Sequence, residues 1–281
     1  MTTTLFCERL QQMIRVFPRR THWTPDDELA FIGDPPLFRP PDQPVFVSVT
    51  FTWDLPEAER LQRSWKRFYP DVRIGGPATG EPGGQFVPGR FLKEGAVITS
   101  RGCPNQCWFC HVWKREPILR EFEIKEGWNV FDDNLLACSE NHFFKVCLML
   151  KKQKHEIVFS GGLEAKIFNP WHAQILSKLK PRRIFFAYDT EDDYEPLLQA
   201  GKLLRSTGFT TASHRLMCYV LIGYKGDTFT QAETRLKDTL KAGYVPMAML
   251  YRNERGKHDD NSWLKFQKHW ARPRLIFKRF T

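Results

Sequence analysis

The sequence predicts an α/β protein: a partial (β/α)6 barrel behind a short β-α-β extension. Three observations carry that expectation. From residue 95 onward, apolar β-branched runs alternate with amphipathic stretches of helical length, which implies a parallel sheet with right-handed crossovers. Glycine, proline and asparagine punctuate the changes from one to the other. The chain has 281 residues, 42% of them hydrophobic and 14% aromatic, enough to bury a full core and too apolar for a disordered chain.

Residues 1–44 are rich in proline and charge and read as an irregular lead-in, with Thr24-Pro25-Asp26-Asp27 as a helix start, because threonine can cap and proline fits the first turn. The run 45–51 (VFVSVTF) is a buried parallel strand by composition, 56–69 a helix and 71–76 a strand ending in glycine, which makes one β-α-β unit. A Gly/Pro-rich loop over 75–89 follows, so the extension is assigned to 1–90, the barrel to 91–255 and a basic, aromatic tail packing on the barrel to 256–281. Within the barrel the strands are 95–99, 128–134, 156–162, 182–189, 216–224 and 246–252. The helices are 139–152, one beginning at Asn169-Pro170, 192–207, and 229–242 stopped by Gly243. Ligands of parallel α/β sheets bind at the C-terminal ends of the strands, so the site is expected there.

The net charge is +10 and the pI about 9.3, which points to an acidic partner, with nucleic acid or a nucleotide first. Residues 252–281 hold nine Lys/Arg against three Asp/Glu, with Trp263, Phe266, Trp270, Phe277 and Phe280 interleaved. Such a segment either stacks on bases or closes the core with its aromatics. No apolar run is long enough for a membrane span, and the N-terminal residues lack a sustained apolar stretch of signal-peptide type. Seven cysteines, three in one loop, read as a metal site in a reducing compartment, with the cytoplasm expected.

Those three are Cys103, Cys107 and Cys110 in SRGCPNQCWFC, spaced C-x3-C-x2-C after the first barrel strand. Short loops of this kind hold iron–sulfur clusters, and three thiolates on a [4Fe–4S] cube leave one iron open. A structural zinc of Cys3His type, using His111, is the bland alternative, although adjacent Cys110 and His111 diverge too much to share one tetrahedral ion easily. Cys138, Cys147 and Cys218 are isolated, and Cys147 falls on the helical apolar face Phe143, Val146, Cys147, Leu150. Cys7 has no evident role.

The spacing, with Phe109 before the third cysteine, resembles the radical S-adenosylmethionine (SAM) superfamily. The resemblance implies the open six-unit barrel, an open iron that chelates the amino and carboxylate groups of SAM, and reductive cleavage to methionine and a 5′-deoxyadenosyl radical. It also implies a one-electron donor of flavodoxin or ferredoxin type. Gly161, Gly162 and, after one insertion, Glu164 are similar to the Gly-Gly-Glu element that contacts the SAM amino group, and Val220 to Gly223 to the element that packs on adenine. Asp189, Asp132, Asp133 and Asn134 end strands and are candidates for ribose or substrate, or else caps of the next helix. Arg215 and Arg252 are candidates for a carboxylate or phosphate, or else surface charges. The order FDDN, SGGLEAKIF, FFAYD, YVLIGY, MLYRNE over residues 45–255 further resembles the cobalamin-dependent subgroup. The N-terminal region is too short for a whole Rossmann-type domain and has no Asp-x-His-x-x-Gly string, so cobalamin has little support. The expected function is hydrogen abstraction from a substrate, with rearrangement or modification of a nucleobase or nucleotide-linked group, in a monomer or small homo-oligomer. The alternatives are cobalamin-dependent methyl transfer and a zinc-stapled nucleic-acid-binding module.

Overall fold

The structure, a computed structural model, describes residues 13–253 and 255–271. It is α/β, with two parallel sheets and helices packed against them. The first sheet joins β1 (Ile14–Phe17), β2 (Ala30–Ile32), β3 (Val45–Ser48) and β4 (Val72–Gly75), all parallel, in the order β2-β1-β3-β4. The helix α1 (Leu55–Lys66) begins with proline in its first turn and buries Ala58, Leu61 and Trp65 against Ile14, Val16, Val45 and Val47.

Two expectations fail in this region. The lead-in is not irregular throughout, since IRVF and AFI are strands, yet four and three residues are too few to show a period of two. Thr24 starts no helix. Its hydroxyl accepts from the Thr21 amide (2.8 Å) and its own amide donates back to Thr21, closing a turn in which Pro25 has no helical role.

The second sheet holds six parallel strands that neighbour one another in chain order: β5 (Ala96–Val97), β8 (Asn129–Val130), β9 (Val158–Leu163), β10 (Arg183–Tyr188), β11 (Leu216–Ile222) and β12 (Val245–Leu250). Between β5 and β8 lie β6 (Ser100–Arg101), β7 (Arg120–Glu121) and the one-turn α2 (Val112–Arg115), with β6 and β7 paired antiparallel. The remaining helices are α3 (Glu140–Lys151), α4 (Pro170–Leu179), α5 (Tyr194–Ser206), α6 (Phe229–Lys241) and α7 (Asn261–Trp270).

Alternate strand residues point to opposite faces. Ile184, Phe186 and Tyr188, with Leu216, Cys218, Val220 and Ile222, meet Leu176, Leu197, Leu204 and Leu236 of the helices in one core. Phe185 and Tyr219 stack on the other face (4.6 Å), where Met247 and Met249 stay 45% and 42% exposed. The core also takes Trp263 and Trp270 of α7, so these tail aromatics close the core instead of waiting for bases. Phe277 and Phe280 lie outside the described residues. Among the described residues no helix is long and apolar enough to cross a membrane.

Candidate metal centre

The cysteine loop leaves β6 at Gly102, and glycine is required there. Its φ is +98°, and a Cβ would stand 2.5 Å from the Ile118 carbonyl oxygen. The β6–β7 ladder clamps the base of the excursion, pairing Ser100 with Glu121 and Arg101 with Arg120. Asp133 secures the same base, accepting from the Gly102 amide (3.0 Å) and Arg101 (3.3 Å) with Arg115 3.8 Å away. Inside the loop the Cys107 carbonyl accepts from the Cys110 amide (3.0 Å) and the Trp113 indole (2.9 Å). The Val112 amide donates to the Cys110 sulfur (3.4 Å). Trp108, 54% exposed, sets its ring edge against Phe109 (5.3 Å) and leans on Tyr224 (5.3 Å) and Tyr251 (6.1 Å). Tyr224 and Tyr251 follow β11 and β12, so the loop lies across the C-terminal ends of the strands.

All three thiols are partly exposed. Burial, then the charges of Cys110 and Cys103, then Asp189 and Asp193, push the Cys107 thiol above its ordinary value. Burial, with Cys103 and Asp133, does the same for Cys110. Both shifts favour the neutral thiols, and a bound metal is what would deprotonate them.

Asn134 ties this loop to the next strand. Its amide nitrogen donates to the Cys103 sulfur (3.4 Å) and to the Glu164 carboxylate (2.6 Å), which fixes the amide's orientation. Its carbonyl oxygen is then buried with no partner among the described residues. Cys103, Glu164 and this orphaned acceptor therefore converge, although only the first two stood out among the cysteine and Gly-Gly-x-Glu motifs. The signal for Asn134 was its place after Asp132-Asp133 at a strand end.

The chain matches no family model and no curated protein. Among the described residues no three His, Cys, Asp or Glu side chains form a group able to hold a metal ion, a Cys3His zinc set with His111 included. A cluster asks for a different arrangement, because each of its thiolates takes a separate iron and the sulfurs need not converge on one ion. Soft thiolates with amide donors to two sulfurs and an unpaired acceptor beside a carboxylate fit a cluster with a ligand carrying an ammonium group.

Several other expected residues are used inside the fold. Asp132 is buried and accepts from the Thr99 amide (2.7 Å) and the Thr99 and Ser100 hydroxyls (2.5 and 2.7 Å), so its carboxyl is a pin between β5 and β8 and not a substrate or ribose group. Burial pushes its pKa up to about 6. A Cβ on Gly161 would sit 2.1 Å from the Asp132 carbonyl oxygen, so this glycine admits neighbouring backbone, not a ligand. Gly162, left-handed at φ +89°, has nothing within 4 Å of its Cβ position. Gly223 donates to Asp227 (2.7 Å), accepts from His258 (2.7 Å), and would strike Leu250 with a Cβ, so it is occupied by packing. Asp189 ends β10 on the loop's side and accepts from the Leu221 amide (3.0 Å). Burial raises its pKa to about 7. Arg252 is exposed, donates weakly to Gly256 (3.4 Å) and lies over Trp53 (5.8 Å), which makes it a bracket between segments. Arg215 precedes β11, at the opposite end of a seven-residue strand. That end is about 20 Å from the loop at roughly 3.3 Å per residue, so Arg215 does not belong to this site.

Proposed function

We propose that the chain is a radical SAM enzyme on an open (β/α)6 barrel, with a [4Fe–4S] cluster on Cys103, Cys107 and Cys110. The observation that carries this reading is the Asn134 amide, which joins a cysteine of the loop to the glutamate of the Gly-Gly-x-Glu segment. When bound, the cluster and SAM supply, with one electron from a flavodoxin- or ferredoxin-type donor, methionine and a 5′-deoxyadenosyl radical that abstracts hydrogen from the substrate.

The chain's own residues bind and orient. Glu164 and the unpaired Asn134 oxygen accept from the ammonium of SAM. Asp189, whose raised pKa keeps it protonated for part of the time near neutrality, meets the ribose hydroxyls as acceptor or donor. Trp108 and the two tyrosines it leans on hold the loop over the strand ends. The sheet face that exposes Met247 and Met249 beside the stacked Phe185–Tyr219 pair receives the substrate. A nucleobase or nucleotide-linked group suits both that apolar face and the net positive charge, and cobalamin is not needed by any of these roles.

The test is electron paramagnetic resonance of anaerobically reconstituted, dithionite-reduced protein with and without SAM. A [4Fe–4S]⁺ signal that shifts on adding SAM is expected. Zinc in place of iron, or a signal indifferent to SAM, overturns the reading.

A further inference from the structure

At the opposite end of the second sheet, where α3, α4 and α5 hand over to β9, β10 and β11, lies a cavity of about 290 Å³ lined by Lys151, His155, Lys180, Arg182 and Arg215, with Glu156 as its one acid. All strands run parallel, so their leading loops must gather here. The segments 151–156, 178–183 and 214–215 together bring eight lysines and arginines against that single glutamate. Glu156 is spent on Arg182 (3.5 Å), and Lys151, Lys180 and Arg215 have no anionic partner among the described residues.

Helix C-termini attract cations, which explains about one lysine per helix and not the excess. Lys180 is informative in another way. It caps α4 in the left-handed conformation (φ 53°), where glycine is the unstrained choice. A lysine at that position places its charge at the cavity despite the backbone. Beside it the His155 ring lies flat on Trp128 (3.8 Å, 21°), giving the cavity a planar wall.

We propose that this cavity holds the phosphates of a single-stranded nucleic acid, with the His155–Trp128 pair as the platform for a base. Unpaired cations in a groove beside stacked rings are the means by which single strands are held without sequence readout. A concave cavity with a ring wall suits a phosphate and its neighbouring base better than the convex carboxylate surface of an acidic protein. The inference goes beyond the reductive chemistry proposed above and is independent of it, because binding here needs neither iron nor SAM.

The experiment is fluorescence anisotropy of a labelled, mixed-sequence 20-nucleotide RNA with the full chain, titrated from 50 to 300 mM KCl. The variant Lys151→Gln/Lys180→Gln/Arg215→Gln should bind at least tenfold more weakly at 100 mM, with its log–log salt slope smaller by about 2, since each lost phosphate contact on a single strand removes about 0.7. The control Arg63→Gln/Lys66→Gln/Arg67→Gln removes the same charge from the last turn and C-cap of α1 and should bind as the parent does. Lys180→Gly separates binding from folding: relief of the left-handed strain should raise Tm by about 2 °C while RNA affinity falls. Equal weakening by both triple variants, an unchanged affinity in the cavity variants, or no binding by the parent overturns the proposal. Displacement of the RNA by polyglutamate as readily as by unlabelled RNA also overturns it, and assigns the face to an acidic protein.

Discussion

Asn134 buries a carbonyl oxygen that no donor meets among the described residues. A buried acceptor without a donor costs about 1–3 kcal/mol, and a ligand ammonium would recover that. Asn134→Ala should leave the iron content of reconstituted protein near that of the parent while SAM binds at least tenfold more weakly in a calorimetric titration. Loss of iron and SAM binding together would make Asn134 merely structural. Asp132 offers a pH signature. Its folded pKa of about 6 lies above its ordinary value of 3.8, so the folded state holds the proton more tightly. That contribution is complete below about pH 4 and is lost as pH rises through 6. Compared with Asp132→Asn, the parent should lose about 2–3 kcal/mol between pH 4 and pH 6 and then level off, as read from urea midpoints. A flat difference would mean that Asp132 is not buried as its bonds to Thr99 and Ser100 require. Both residues were legible as polar groups at a strand end. Their partners were not, because Thr99 lies 33 residues before Asp132 and Glu164 lies 30 after Asn134, and spacing along a chain carries no news of such meetings.

At the scale of elements, length decides what could be read. The strands β9 to β12 run six or seven residues in apolar, β-branched sequence and fall where the periodicity puts them. The strands at 95–99 and 128–134 shrink to two residues each, and beyond the first of them the Thr99 amide donates to the Asp132 side chain instead of to a neighbouring strand. The β6–β7 clamp was invisible, since two-residue strands have no period. Yet the clamp governs the candidate centre, with Gly102 as its hinge. Gly102→Ala places a Cβ against backbone in a left-handed turn, at a cost of roughly 1–3 kcal/mol. The expected outcome is lost iron binding with the far-ultraviolet circular dichroism kept, because the six-stranded core does not include this loop. A variant that takes up iron like the parent would show that the loop does not depend on the turn.

Among the described residues two cores lie one under each sheet, and a few side chains tie together the segments around them. Arg15 donates to the Gly89 and Arg90 carbonyls (3.2 and 3.0 Å), Trp23 meets Phe131 edge-on (5.0 Å), and Trp53 fills the space that Gly256 leaves for it. The α/β class with parallel strands was legible from alternation alone, because every strand–helix repeat announces itself locally. The four-stranded first sheet was not, since half of it is built from three- and four-residue strands inside charged, proline-rich sequence. Chain-order adjacency of the six strands has a consequence for how the protein emerges during synthesis. Each new strand finds its neighbour already made, so the sheet can grow from β5 towards β12 without waiting for a distant segment. The three thiols leave the ribosome early, whereas Tyr224 and Tyr251, which back Trp108, arrive roughly 110 and 140 residues later, on the order of ten seconds at 5–20 residues per second. For that interval the cysteines are open both to metal delivery and to oxidation, and the order of the strands sets its length.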